Sequence, residues 1–262
     1  MWSSYYVRYM HNALQKEEKE KMRKLVVGFP LILLAFAIVY TSPVQAATQA
    51  QIDTAIANGV AWLATQQQAD GSWPQTFTWG EPVAYTGLAV LKLEHYAYEL
   101  GYASPFDPAY PYHQNVTAGL DYIFAGLLTQ NIGPQDHTAG ATGTVDNPDF
   151  NGNGLGVYGH GHSYPFDVYD TGIVLSAVSA SGTPGRVVSV TGSPVDGWTY
   201  SKVAQDMVDW LAWAQSDFDY APISKGEGGW SYGGLDNDDQ MGYYAPDNSN
   251  GGYAVLGLGY AA

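Results

Sequence analysis

Four stretches of this chain gather side chains that can bind a ligand or move a proton. Asp149-Phe-Asn151-Gly-Asn153-Gly154 sets oxygen donors at alternate positions and closes on glycine, as the first half of a calcium loop does. Its twelfth position is His160, not a bidentate carboxylate, so Asp167 or Asp170 would have to complete the shell. An ordinary Asn/Gly turn explains the same residues. His160-Gly-His162, with Asp167 and Asp170 nearby, has the donors of a His/carboxylate metal site. Alternate residues of an extended loop point opposite ways, however, and a polar loop is the plainer reading. Asp236-Asn-Asp238-Asp239 crowds three carboxylates beside Gly233, Gly234 and Gln240, which suits a solvated acidic loop. Lastly, Tyr85, Tyr169 and Tyr253 stand at the starts of three apolar segments, with Asp170, Trp230, Tyr232 and Asp247 close to two of them. Such an aromatic and acidic rim can stack on sugars or hold a cation, although hairpin ends also pack through aromatic rings.

Composition narrows the chemistry. The chain has 262 residues, 46% of them hydrophobic and 14% aromatic, enough for a sizeable core in one large domain or two small ones. It contains no cysteine, which excludes disulfides and any zinc–thiolate site. No cofactor is required by these residues, and calcium is the metal they suggest. Lys21, Arg23 and Lys24 precede an apolar run over 25–40, and Val44-Gln45-Ala46 reads as a small-residue cleavage site. Residues 22–46 are therefore expected to be a signal peptide, with 1–21 a non-native extension and 47–262 the folded domain. The expected location is secreted or extracytoplasmic, an uncleaved N-terminus acting as membrane anchor being the alternative. From residue 47 on, four basic residues face 22 acidic ones, a net charge of −18. Nucleic acid is excluded as a partner, because phosphate binding needs the opposite sign.

The elements that must position these groups are helices. Thr48-x-x-Gln51 reads as a capping box opening a helix that runs to about Gln67. Further helices are predicted at 84–100, 115–130, from 170, at 201–215 and from 247, with a short strand at 186–191. The first, third and fifth are amphipathic. The second, fourth and sixth are apolar nearly all round and rich in small residues. This alternation predicts two layers, fully buried helices inside and amphipathic ones outside.

Within that rhythm, Gly59, Trp62, Leu63, Gln67, Gly71 and Trp73 fill every place of the QW motif of the squalene cyclase and prenyltransferase repeat families. Trp210, Leu211, Gln215, Gly228 and Trp230 form a looser second copy, with a gap of 13 residues between Gln and Gly where the first has four. Asn58 departs from the basic residue often found before the first glycine. The resemblance covers about residues 50–262 and implies an all-α fold, an α/α-toroid built from helical hairpins. About three hairpins are present, so an incomplete ring is expected, one that a longer gene product or association between chains would close.

The resemblance also implies a role for Asp236, Asp238 and Asp239, whose D-x-D-D spelling is that of class II terpenoid cyclases. There the middle aspartate protonates an alkene and must be held neutral in an apolar cavity. The family's motif runs directly into an inner helix. Here Asp247-Asn-Ser-Asn250 holds that place and D-x-D-D lies in the loop before it. The leading expectation is thus a binding or structural module for a small-molecule, lipid or glycan ligand. A squalene-hopene-like cyclase and a polysaccharide-active α/α-barrel enzyme are the alternatives.

Overall fold

The structure is a computed structural model that describes residue 19 and residues 46–74, 82–136, 145–160, 167–216, 228–234 and 246–262. The chain divides into two compact units, Met1–Asp53 and Thr54–Ala262. Of the expected signal peptide and N-terminal extension, nearly all lies outside the described residues. Among those described, no helix is long and apolar enough to cross a membrane.

The described chain is mostly helical. Its elements are α1 (Gln49–Thr65), α2 (Pro82–Glu99), α3 (His113–Gly126), β1 (Leu127–Asn131), β2 (Gln135–Asp136), β3 (Val145–Asp146), β4 (Leu155–Gly159), α4 (Asp167–Ala180), α5 (Tyr200–Trp213) and α6 (Asn248–Ala261). The capping box forms: the Thr48 N–H donates to Gln51 Oε1 at 2.9 Å, and the Gln51 N–H donates to Thr48 Oγ1 at 3.3 Å. Two satisfied donors fix the start of α1. In that helix Val60 is buried and Ile56 and Leu63 are partly so, while Ile52 and Gly59 are exposed, a narrower stripe than the spacing predicts.

The predicted third helix stops early. At Leu127 the backbone turns extended, and β1 pairs antiparallel with β4, Leu127 opposite Gly159 and Asn131 opposite Leu155. Leu127 and Leu128 fit the helical stripe by spacing, but five cross-strand partners supplied by the following loop outweigh that local preference. A second short pair joins β2 to β3. These two sheets are an addition to an otherwise helical fold. The predicted strand at 186–191 contributes one bridge, Val187 to Thr199.

In the second unit, α4 lies between α2 and α6, with α3 packed on α2 and α5 on α4. All but Tyr169, Ser179 and Ala180 of the α4 residues are buried, which explains why its sequence has no polar face. Small residues set the spacing. A Cβ added at Gly172 would lie 2.3 Å from the Tyr253 carbonyl oxygen, and one at Gly257 would lie 2.6 Å from the Gly172 carbonyl oxygen. On the other side of α4, Gly87 faces Ile173 of that helix at 2.9 Å.

Glu94 of α2 is fully buried, and neither of its carboxylate oxygens has a hydrogen-bond partner among the described residues. Burial raises its pKa well above the ordinary 4.5. A proton held more tightly in the folded state stabilises the fold fully below the unfolded pKa. That contribution is lost as the pH rises from 4.5 through the folded pKa. Glu94→Met, which keeps the length and removes both oxygens, is expected to stabilise the protein by about 1–3 kcal/mol at pH 8. The gain should shrink towards pH 4.5, as denaturant titrations at the two pH values would read.

Candidate functional site

The two Gln/Trp stretches make the same joints in three dimensions. Trp73 Nε1 donates to the Leu63 carbonyl at 2.8 Å, and Trp230 Nε1 donates to the Leu211 carbonyl at 2.8 Å. Gln67 Nε2 donates to the Gly71 carbonyl and Gln215 Nε2 to the Gly228 carbonyl, both at 2.9 Å. Gly71 (φ 91°) and Gly228 (φ 77°) take the left-handed backbone that the turn requires. The longer second connection therefore leaves the joint unchanged. In the first copy, Asn115 Nδ2 also donates to Gln67 Oε1 at 2.7 Å while Gln67 Nε2 donates to the Asn115 carbonyl at 3.0 Å, tying α1 to α3.

The first joint leads to α2, where the Trp73 backbone N–H donates to Thr86 Oγ1 at 3.1 Å, and the second delivers the chain to the N-terminal ends of α4 and α6. The Val168 N–H donates to the Tyr232 carbonyl at 3.0 Å, and the Asp247 N–H donates to the Trp230 carbonyl at 3.2 Å. Asp247 is the N-cap of α6, accepting from the Ser249 and Asn250 N–H groups at 2.8 and 3.0 Å, as expected of Asp before a helix. Beside it, the rings of Tyr169 and Tyr253 lie 4.1 Å apart, centroid to centroid. Burial, then the hydrogen bond to Tyr253 and the charges of Tyr253, Tyr232 and Asp247, push Tyr169 up to about 12. Burial acts to raise the Asp247 carboxyl too. Hydrogen bonds from the Ser249 hydroxyl, the Asn250 and Ser249 N–H groups and the Tyr232 hydroxyl outweigh it and hold the carboxyl below its ordinary value. It is an anion at neutral pH, and its contribution to stability is lost as the pH falls through the lowered pKa.

Of the residues singled out by the sequence, Tyr169, Tyr232, Asp247 and Tyr253 thus come together, all half-buried. Tyr85 lies in the first turn of α2 and is exposed. Trp230 is buried, its indole committed to Leu211. Asp170 lies inside α4, which begins three residues earlier, at Asp167. It is buried against Gly159, and the helix predicted from 170 starts one turn earlier. Asp236, Asp238 and Asp239 lie outside the described residues, as does His162.

His160 Nδ1 lies 2.8 Å from Asp167 Oδ1, a pair at the start of α4. Asp167 thus pairs with His160. Among the described residues, no group of three His, Cys, Asp or Glu side chains is placed to hold a metal. Asp149 accepts from the Asn153 and Gly154 N–H groups of its own loop, while Asn151 and Asn153 meet α5 at Asp206, a partner that no spacing in the chain announces. Asn153 Nδ2 donates to Asp206 Oδ2 at 2.9 Å, and Asn151 Nδ2 donates to Asp206 Oδ1.

Comparison with protein-family models, with curated proteins and with solved structures finds no match.

Proposed function

We propose that this chain is an exported binding module of the α/α-toroid type, similar to the squalene cyclase and prenyltransferase repeats, and that it binds an uncharged, hydroxyl-rich ligand such as a glycan. The observation that carries this reading is the Tyr169–Tyr253 pair beside Tyr232 and Asp247, at the ends of α4 and α6. Two aromatic faces offer stacking surface for a sugar ring, and an ionised carboxylate accepts hydroxyl hydrogens. The layering of α2, α4 and α6 under α3 and α5 supports the toroid, and the repeated Gln/Trp joint supports the hairpin repeat. The surplus of acidic residues repels anionic polymers and lipid surfaces, which favours a neutral ligand.

A glycan array probed with the full chain is expected to show binding without turnover. Calorimetry on a hit should find Tyr169→Ala and Tyr253→Ala each weaker by roughly tenfold, with the circular dichroism spectrum unchanged. Unaltered affinity in the double variant, or release of product from the bound ligand, would defeat the proposal.

A further inference from the structure

We propose that copies of this chain associate head to tail, the exposed face of α6 in one copy receiving the exposed face of α2 in the next.

Contacts between neighbouring apolar helices follow one pattern, used twice. Gly87 of α2 receives Ile173 of α4, and Gly172 of α4 receives the Tyr253 backbone of α6. Ile173 directly follows Gly172, and Tyr253 directly follows Gly252. Each helix thus offers a glycine to its successor and sets the next residue against the glycine of its predecessor. Two halves of this pattern are left without a counterpart. At Gly252 an added Cβ would meet nothing within 4 Å among the described residues. Leu88 follows Gly87, holds in α2 the place of Ile173 and Tyr253, and is 42% exposed. An open acceptor on α6 and a free insert on α2 are the two sides of a third contact of the same kind.

The residues around them agree. Val255 and Leu256, three and four positions after Gly252, are 59% and 42% exposed. Their counterparts after Gly172, Leu175 and Ser176, are fully buried. Tyr85 is exposed at the place where α4 and α6 bury Asp170 and Asn250. The sequence of α6 is apolar all round like that of α4, yet only Asn250, Ala254 and Gly257 of it are buried. Contiguous apolar surface of this kind marks a contact with another molecule.

The chain cannot cover this face with its own α2. Within one copy α4 lies between α2 and α6, which meet through Tyr260 Oη and His95 Nε2 at 2.9 Å, towards their C-terminal ends. Leu88 and Gly252 stand at the other ends and are left for a second copy. One residue departs from the pattern. Lys92 stands where α4 and α6 have Ala177 and Gly257, with its ammonium 3.2 Å from Glu99. Its stem spaces the helices at that level while the charge stays at the rim, so the contact is closest in the N-terminal halves.

The contact is heterologous, because each copy carries one face of each kind. It needs no ligand at the tyrosines. The formal net charge of −15 makes copies repel at a distance, whereas Tyr85, Leu88, Val255 and Leu256 attract on contact. Added salt screens the repulsion and should favour association.

Sedimentation velocity of the full chain over the micromolar range is expected to show concentration-dependent dimers or larger species, enriched by sodium chloride. Val255→Glu blocks the α6 face and Leu88→Glu the α2 face. Each variant alone should be monomeric, and their equimolar mixture should form a dimer through the two intact faces. Gly252→Gln guards against a folding artefact, since it fills open space on a helix. Its melting temperature should rise by about 2 °C. Its self-association should nevertheless weaken by about tenfold or more, because the acceptor is filled. A monomeric parent chain, oligomers that persist in either blocked variant, a mixture that stays monomeric, or unchanged association in Gly252→Gln would each overturn the proposal.

Discussion

Trp73→Ala is expected to cost about 3–5 kcal/mol of stability, the range for removing a large aromatic ring from a packed core. The ring is 4% exposed. It abuts the space over Gly119, where an added Cβ would meet it at 3.1 Å. Its N–H donates to the Leu63 carbonyl near the end of α1, which also accepts from the Gln66 N–H at 3.0 Å. Trp73→Phe separates the two contributions. It keeps most of the apolar surface and removes the donor, so a loss nearer 1 kcal/mol is expected from the hydrogen bond alone. Trp230 makes the same bond to Leu211, and Trp230→Ala should cost a comparable amount. Denaturant melts of the three variants would check the series. A Trp73→Ala protein as stable as the parent would show that the joint does not hold the hairpins together.

Gly172→Ala is the second large effect, and an unusual one, because adding a methyl to a helix interior ordinarily stabilises by about 0.5–1 kcal/mol. Here the new Cβ would lie 2.3 Å from the Tyr253 carbonyl oxygen and 2.5 Å from its carbon, both backbone atoms of α6. A side-chain tip could rotate away, but a helix backbone has to translate. Gly172 and Gly257 face each other, so the movement would open the tightest contact between α4 and α6. A loss of about 3 kcal/mol is expected, at the upper end for overpacking. The same shift would part Tyr253 from Tyr169. Gly59→Ala is the control: nothing lies within 4 Å of an added Cβ there, and a small gain in stability is expected. If both substitutions behave alike in thermal melts, the close approach of α4 and α6 is not a constraint.

These two predictions rest on different kinds of legibility. The Gln/Trp joint could be read from the sequence because each of its bonds is local, closing a turn from a helix end to a tryptophan shortly beyond. Even the longer connection between Gln215 and Gly228 preserved it, since the bond joins the two ends of that segment. The close packing of α4 was legible in outline. Small apolar residues on every side meant burial on every side, but which glycine meets which carbonyl depends on helix rotation, and no spacing rule encodes that.

At the candidate sites the division is sharper. Tyr169, Tyr253, Tyr232 and Asp247 were picked out by position relative to helix starts, and the structure brings these four together because α4 and α6 pack side by side. Trp230 was picked out on the same grounds, yet its indole had already been spent on a carbonyl. The helix predicted from 170 begins at Asp167, a start that the apolar pattern does not reveal, so Asp170 lies inside it. The β1–β4 pair went unread because Leu127 and Leu128 continue a helical stripe, and only a partner strand 24 or more residues later makes the extended form preferable.

By itself, then, the sequence determined the helical periodicities, the Thr48–Gln51 cap, the hairpin joints and the oxygen-rich Asp149 loop, each the product of interactions within a few residues. The tertiary structure alone decided what that loop faces. Asp206 and Asp209 lie more than 50 residues beyond Asn153 on α5, where their spacing reads as part of an ordinary amphipathic helix. Burial of charge is a property of what packs against a residue, and packing between distant segments leaves no local trace in the chain.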